Sequence, residues 1–338
     1  MIALSIAINN ALNVYGDSTF HSNTTYAAAT VNSLLNFSPN TTSRQITCTG
    51  TVYLPVIFKA NTNVCTITLN NNLTVDYAQV GTASVNVTLN GNNLYVKKNI
   101  NNAKSNGTTT IHAIGTGTLT YGAFNNTCSC PLVINTSGTI TVSYISLLST
   151  SFTYISGTVI TTGSTLRLVQ TSTSTTITID SGVILWDNIL IDYTNYTGAG
   201  SITLNSLLLG TSMVISNVGT TSTTVFSGSF GFNVDSLTLT AAARTISLAS
   251  NNTYTVNTSI VCTAATSASP LSIIASTTPT KAKLTLTKGA TMDLGFVNFT
   301  DIDASDGRTI WVWKPVLSNT NNIRSLTSPN NVSSTFAF

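Results

Sequence analysis

The chain has 338 residues, of which 42% are apolar and only 7% carry a charge, and its formal net charge is +3. Disordered chains normally combine low hydrophobicity with high net charge, so this composition favours an ordered protein over disorder. So small a net charge does not point to a nucleic acid partner. No stretch of about 18 apolar residues occurs, so we expect no membrane span.

The residue types favour strands over helices. All ten acidic residues are aspartates, and the residues that suit exposed helical faces are scarce. Thr, Ser, Asn, Val and Ile dominate instead, and these are residues of strands and turns. We therefore predict an all-β protein.

Residues 1–45 are rich in Asn, Ser, Thr and Ala, with Leu34, Leu35 and Phe37 as apolar anchors. We interpret this segment as an N-terminal cap or attachment segment. A repeat array needs such an end, because its first coil would otherwise expose an apolar face and an unpaired strand edge.

Residues 46–289 repeat one design, in which a β-branched strand runs into a polar turn and a second apolar strand follows. The design is clearest in Thr176–Tyr193, whose turn is Asp180-Ser181-Gly182, and it returns from Cys65 and from Pro131. Its loose period of about 22 residues indicates a repeat architecture.

We predict a single-stranded parallel β-helix, or β-solenoid, of about twelve coils with caps at both ends. Inward positions must be Val, Ile, Leu or Phe, because they stack on similar residues in the next coil, and outward positions suit Thr. A pair of β-sandwiches or jelly rolls is the alternative, but those folds are expected to show turns every 8–12 residues.

Cys48 and Cys65 lie about one coil apart in the sequence. Stacked coils about 4.8 Å apart would allow a disulfide between them. Buried free thiols that pack as small apolar residues are the interpretation we favour.

Residues 290–338 form the predicted C-terminal cap and tail, and they contain an acidic turn with Asp301, Asp303 and Asp306. Three carboxylates beside a glycine are candidate Ca²⁺ ligands, although the spacing does not match an EF-hand. The favoured alternative is a turn in which the aspartates cap backbone N–H groups and Arg308 neutralises them. We therefore expect no cofactor, with Ca²⁺ as the alternative.

Trp311 and Trp313 alternate along a predicted strand, so both indoles should lie on one face. Such a pair is a candidate ligand or interface site. We favour a lid over the apolar end of the solenoid or a subunit contact, and a sugar-binding platform is the alternative.

Glycan hydrolysis needs two carboxylates about 5–9 Å apart, so in a solenoid the two acids should lie about one coil apart. Asp187, Asp235 and Asp293 are separated by more than one coil, and Asp180, Asp187 and Asp192 fall within a single coil. We expect no catalytic residues and no enzyme.

Two short segments, N-A-L-N-V-Y-G-D at 10–17 and D-I-D-A-S at 301–305, and the Thr/Asn/Ser-rich coils between them resemble β-solenoid virion proteins of tailed bacteriophages. These are tail-fibre, tailspike and head-fibre proteins. The resemblance implies a particle component, often a homotrimer, that contacts other virion proteins and a host-surface glycan. Tailspikes of this kind often carry an acid pair for glycan cleavage, which does not map onto this sequence.

The leading hypothesis is therefore a non-enzymatic virion structural protein, a phage fibre, spike or decoration subunit located in the particle. A cell-surface adhesin with the same coil is one alternative. A glycan-degrading β-helix tailspike enzyme is the other.

Overall fold

The described parts of the chain form strands and turns. A computed structural model describes residues 4–8, 11–14, 18–20, 24–28, 34–37, 43–48, 52–58, 65–70, 73–80, 85–88, 91–92, 94–96, 100–102, 111–121, 131–169, 176–192, 198–216, 223–240 and 244–326. These residues contain no helix, as the all-β prediction requires.

The chain divides into two units, Met1–Thr165 and Leu166–Phe338. The strands of the first unit, β1 to β16, are Leu4–Ile8, Ala11–Val14, Ser18–Phe20, Thr24–Ala28, Leu34–Phe37, Ser43–Cys48, Val52–Phe58, Cys65–Leu69, Leu73–Val80, Val85–Thr88, Leu94–Val96, Ile100–Asn102, Ile111–Ile114, Gly117–Tyr121, Leu132–Leu148 and Ser151–Ile160. The strands of the second unit, β17 to β33, are Thr165–Val169 (which begins at the boundary), Thr176–Asp180, Leu185–Asp192, Ala199–Leu204, Leu208–Ser216, Thr223–Gly228, Phe232–Leu239, Thr245–Leu248, Thr253–Cys262, Leu271–Ala275, Ala282–Leu286, Thr291–Leu294, Val297–Thr300, Ile302–Asp303, Ile310–Trp313, Leu317–Ser318 and Ile323–Leu326.

Each strand pairs in parallel with a strand of the next coil. In the second unit β18 pairs with β20 and β20 with β22, so that Ser201 lies opposite Val225. In the first unit β13 pairs with β15 in the same way. A chain that returns to the same face after every coil, always in the same direction, is a parallel β-solenoid, and this confirms the predicted fold over the antiparallel sandwich.

The number of coils differs from the predicted twelve. Among the described residues, the longest ladder of the first unit stacks eight strands, which are β1, β4, β7, β9, β11, β14, β15 and β16. A ladder of the second unit stacks seven, which are β18, β20, β22, β24, β26, β29 and β32. The period of about 22 residues miscounts coils because their bends differ in length.

Parallel pairing extends on both sides of the predicted domain boundaries. Strand β1 already pairs with β4, from Leu4 opposite Thr24, and β31 pairs with β33, from Ile310 opposite Ile323. The division into 1–45, 46–289 and 290–338 stays a prediction, and residues 327–338 of the predicted tail lie outside the described residues.

The interior of the second unit follows from strand alternation. In β18 the side chains of Ile177 and Ile179 are fully buried, whereas Thr176 is exposed and Thr178 half-buried. Burying one such aliphatic side chain stabilises the fold by about 1.5–3 kcal/mol. In this strand, therefore, Ile fills the buried positions and Thr occupies the more exposed ones.

Aromatic rings from two neighbouring coils meet in this interior. Phe226, Phe232 and Tyr254 come from β22, β23 and β25 and meet edge to face, with ring centroids 5.0–6.1 Å apart. The Tyr254 hydroxyl accepts a hydrogen bond of 2.9 Å from the Ala249 amide. A buried tyrosine needs such a partner for its polar end.

A buried ion pair joins two coils of the second unit. Arg167 in β17 donates from Nε and Nη2 to Oδ2 of Asp192 in β19, at 3.0 and 2.5 Å, and both side chains are buried. Removal of one partner from such a pair leaves an uncompensated buried charge at a cost of about 3–5 kcal/mol.

The strand register separates Cys48 from Cys65. Strands β6 and β8 are parallel, with Ser43 opposite Thr66 and Ile46 opposite Leu69. Cys48 ends β6 and Cys65 begins β8, so their Cα atoms lie about 20 Å apart along the strands. A disulfide tolerates about 7 Å, so the considered Cys48–Cys65 bridge is excluded by this register.

Candidate functional site: the outward face at Trp311

Strand β31 turns its two tryptophans away from the interior. Ile310 and Val312 are fully buried, while Trp311 is 42% exposed and Trp313 half-buried. Both indoles therefore lie on one side of the strand, as the alternation predicts. An outward indole is accessible to a ligand or to a neighbouring molecule.

The neighbouring coils place charged residues beside Trp311. Arg324 of β33 lies directly opposite Trp311. On the other side Gly295 pairs with Trp313 in an isolated parallel bridge, and the Trp311 amide contacts Met292 of β28, so the exposed Asp293 lies in the preceding coil beside this part of β31. Adjacent paired strands lie about 4.8 Å apart, so Trp311 and Arg324 are outward neighbours, and the exposed Asp293 continues this outward column in the preceding coil.

Two hydrogen bonds connect the backbone of β31 to the preceding coil. The Phe296 amide donates to the Trp313 carbonyl at 2.8 Å, and the Trp311 amide donates to Sδ of Met292 at 3.2 Å. Lys314 lies next along the chain, with Nζ 5.2 Å from the Trp313 ring centroid, a cation–π distance.

We call the outward residues of this region the Trp311 face, and its members are Asp293, Trp311, Trp313, Lys314 and Arg324. It combines accessible aromatic surface with two cationic groups and one carboxylate. Such a face can pack against an apolar ring and can donate or accept hydrogen bonds at the ring's edge.

Asp301, the first residue of the acidic turn, is a buried structural residue. It is 1% exposed and has a positive φ of 57°. Its carboxylate accepts hydrogen bonds from Thr278 Oγ1 at 2.8 Å and from Asn319 Nδ2. The side chain therefore satisfies donors from the two neighbouring coils.

Asp303 caps its own turn, as the capping interpretation predicts. Its Oδ1 accepts from the Ser305 amide at 2.9 Å. Hydrogen bonding by Ser305, first from its hydroxyl and then from its amide, lowers the pKa of Asp303, and the Asn321 side chain and the charge of Lys281 act in the same direction.

Asp306 is neutralised by a lysine. Lys283 Nζ lies 2.9 Å from Asp306 Oδ2, and this hydrogen bond raises the pKa of the lysine. Arg308, the predicted neutralising group, donates to the Ala290 carbonyl instead. The prediction of a cation beside the carboxylates is confirmed, but the residue is Lys283 and not Arg308. Lys283 belongs to the preceding coil, so its position beside Asp306 depends on the strand register.

The three candidate calcium ligands thus have separate protein partners. Asp301 faces Thr278 and Asn319, whereas Asp303 serves its own turn and Asp306 pairs with Lys283. Over the part of the chain that the structure describes, no group of three metal-ligating side chains comes together. The expectation of no cofactor, with Ca²⁺ as the alternative, stays a prediction.

The fold also places the acids considered for glycan cleavage in different surroundings. Asp192 is in the buried pair with Arg167. The ladder from β19 through β21 to β23 places Asp187 opposite Thr211 and Thr211 opposite Asp235, counted between the neighbouring pairs. Asp187 and Asp235 therefore share one column two coils apart.

Sequence reasoning missed Asp293 and Arg324 as members of the Trp311 face. Neither stands near a motif, and the coils that separate them from Trp311 differ in length. An outward charge opposite an outward tryptophan is visible only when the strand register is known.

Comparisons with protein-family models, with curated protein sequences and with solved structures gave no match. The described residues also contain no helix long and apolar enough to cross a membrane.

Proposed function

We propose that this chain is a non-enzymatic structural protein of a virus particle, a fibre, spike or decoration subunit. The resemblance of residues 10–17 and 301–305 to phage virion proteins motivates the proposal, and a parallel β-solenoid is compatible with it. Its proposed partners are other virion proteins and further copies of itself, arranged as a homotrimer.

The observation that carries the proposal is the way outward polar side chains link successive coils. The Ser227 hydroxyl lies 3.0 Å from Oγ of Ser201 and 2.9 Å from Oγ1 of Thr203, one coil earlier. One coil later, Asn257 Nδ2 donates to Asn233 Oδ1 at 2.8 Å. Short side chains bonded along the stack lose little conformational entropy, so they favour a rigid spacer.

In this role the Trp311 face is the contact surface. Large exposed aromatic side chains are enriched where proteins meet partners, and Trp and Arg are over-represented among the residues that contribute most to binding. A host-surface glycan or a second virion protein would bind there.

Purified particles test the proposal. We expect mass spectrometry to find the chain at a fixed stoichiometry to the major capsid or tail protein after density-gradient purification. Detection on the surface of uninfected cells, with none in particles, would favour the adhesin and overturn the proposal.

The second candidate function is glycan cleavage, and the column of Asp187 and Asp235 favours it. Two strand spacings correspond to about 9.6 Å, close to the 6.5–9.5 Å that separates the carboxylates of inverting glycosidases. We would incubate the protein and its Asp235→Asn variant with host capsule or cell-wall glycan. If the parent protein releases reducing ends and the Asp235→Asn variant does not, the protein is an enzyme and the non-enzymatic role is overturned.

A further inference from the structure

Trp311 exposes a large apolar ring that the fold does not require on the outside. The other tryptophan of the chain outside this strand, Trp186, is fully buried, and tryptophans are highly buried on average. Strand β31 is anchored by the buried Ile310 and Val312, so exposure of Trp311 does not contribute to the core.

The column can contact both the face and the edge of a sugar ring. Arg324 lies one strand spacing, about 4.8 Å, from Trp311, and the exposed Asp293 lies in the coil on the other side. A pyranose packed with its C–H face on the indole would place the substituents of its edge toward these two residues. Asp293 accepts hydrogen bonds from hydroxyl groups, whereas Arg324 donates to oxygen acceptors.

The charges of the Trp311 face favour an anionic ligand. Arg324 and Lys314 carry two positive charges against the single carboxylate of Asp293. Both ion pairs found among the described residues lie elsewhere, at Arg167–Asp192 and Lys283–Asp306. The exposed guanidinium of Arg324 therefore offers a planar, bidentate site for a carboxylate.

We propose that the Trp311 face binds an acidic saccharide, with a pyranose ring on the Trp311 indole and its carboxylate paired with Arg324. This inference rests on the proposed contact role of the face, and it names the chemical class of the ligand. It does not depend on where the protein is located.

Isothermal titration calorimetry of the full chain tests the inference. The probes are tetragalacturonate and its fully methyl-esterified form, which has the same rings without the charge. We expect the acidic form to bind about tenfold more tightly than the ester, the worth of one exposed charge-assisted contact of about 1.4 kcal/mol.

Three variants assign the binding to the column. Trp311→Ala should weaken binding of tetragalacturonate by at least about tenfold, and Trp311→Phe, which keeps a smaller ring, by less. Arg324→Gln should weaken binding of the acidic form by about tenfold and weaken binding of the ester by less, so that the two forms bind with similar affinity. Phe230→Ala is the matched control, because Phe230 is 46% exposed on other coils and its loss should have no effect.

Equal affinity for the acid and the ester would overturn the inference, and so would undiminished binding by Trp311→Ala. Absence of binding by the parent protein up to about 10 mM probe would do the same, because that concentration exceeds the range of weak saccharide affinities. None of these results changes the stoichiometry of the chain in purified particles, so failure of the ligand class is distinguishable from failure of the proposed function.

Discussion

At the scale of single residues, identical side chains have different roles because the coils give them different surroundings. Asp301, Asp303 and Asp306 lie within one turn, yet the first is buried between coils, the second caps a backbone amide and the third pairs with an exposed lysine. Burial and partners, which residue type does not reveal, determine what each carboxylate does.

Substitution of Asp301 should therefore cost far more than substitution of Asp303. Asp301→Ala removes the acceptor of Thr278 and the closer acceptor of Asn319 and puts alanine at a positive φ, so we expect a loss of about 2–4 kcal/mol in the free energy of unfolding. Asp301→Asn should lose less, because asparagine tolerates this backbone conformation. Urea denaturation measures all of these variants, and an equal cost for Asp303→Ala would contradict the assignment.

The same proteins test the calcium hypothesis. Since each carboxylate has its own protein partner, we expect about 1 mM Ca²⁺ to leave the Tm unchanged. A calcium-dependent rise in Tm that Asp303→Ala abolishes would instead establish an ion site at this turn.

Tyr254 makes stability depend on pH in the alkaline range. Burial raises the pKa of its phenol from 10.0 to about 12. The folded state then holds the proton more tightly than the unfolded state, so this stability is complete below pH 10 and is lost as the pH rises toward about 12. This pH-dependent contribution to the free energy of unfolding is about 2–3 kcal/mol.

Urea denaturation of the parent protein and Tyr254→Phe at a series of pH values measures this effect. The variant should be less stable by about 1 kcal/mol at neutral pH, because the Ala249 amide loses its acceptor. The difference should shrink or reverse above pH 10, because phenylalanine cannot ionise and only the parent protein loses the Tyr254 contribution. The remaining tyrosines and lysines titrate in both proteins, so their effects cancel in the comparison. If the free energies of unfolding of the two proteins keep a constant difference at all pH values, ionisation of Tyr254 does not destabilise the fold.

At the scale of elements, the bends decide how closely successive coils approach. Gly228 ends β22 with φ +93°, and a Cβ built there would lie 2.4 Å from the Leu204 carbonyl oxygen of the preceding coil. Gly289 has nearly the same φ, +92°, with open space around it. Comparison of the two glycines therefore separates the cost of the left-handed backbone conformation from the cost of a steric clash with the neighbouring coil.

We expect Gly289→Ala to cost about 1 kcal/mol, from the left-handed conformation alone. Gly228→Ala should cost about 1–3 kcal/mol more, because its methyl group would overlap backbone atoms of the neighbouring coil. Thermal and urea unfolding of both variants measure the difference. Equal losses would mean that the coils can separate at this bend without cost.

At the scale of the whole molecule, a solenoid is stabilised by contacts between neighbouring coils, so an entire coil can be removed. In the second unit Ser201 lies opposite Val225 and Leu209 opposite Asn233, so deletion of residues 201–224 joins equivalent positions in consecutive coils. We expect this variant to keep its far-ultraviolet circular dichroism and to unfold cooperatively at lower urea concentration.

Deletion of residues 201–212 is the matched control. It removes about half a coil, including most of β20 and the first half of β21, so β18 and β19 both lose much of the strand opposite them. We expect this shorter deletion to aggregate or to lose its β signal. If the full-coil deletion behaves no better, contacts beyond neighbouring coils are needed for folding.

Much of this architecture follows from local sequence pattern. Alternation of Thr with Ile in β18, and of Trp with Ile and Val in β31, determines which side chains point inward, because the side-chain period of a strand is two residues. Scarce charge and abundant β-branched residues determined the all-β class. These properties depend on neighbours in the chain, so the sequence by itself decided them.

The tertiary structure alone decided which coil residues become neighbours. One coil runs from Ile310 to Ile323 and another from Ser259 to Thr291, so no fixed period predicts the register. The Arg167–Asp192 pair and the column of Asp293, Trp311 and Arg324 depend on that register. Register is set by the lengths of bends and by close backbone contacts between coils, which are not local properties of the sequence.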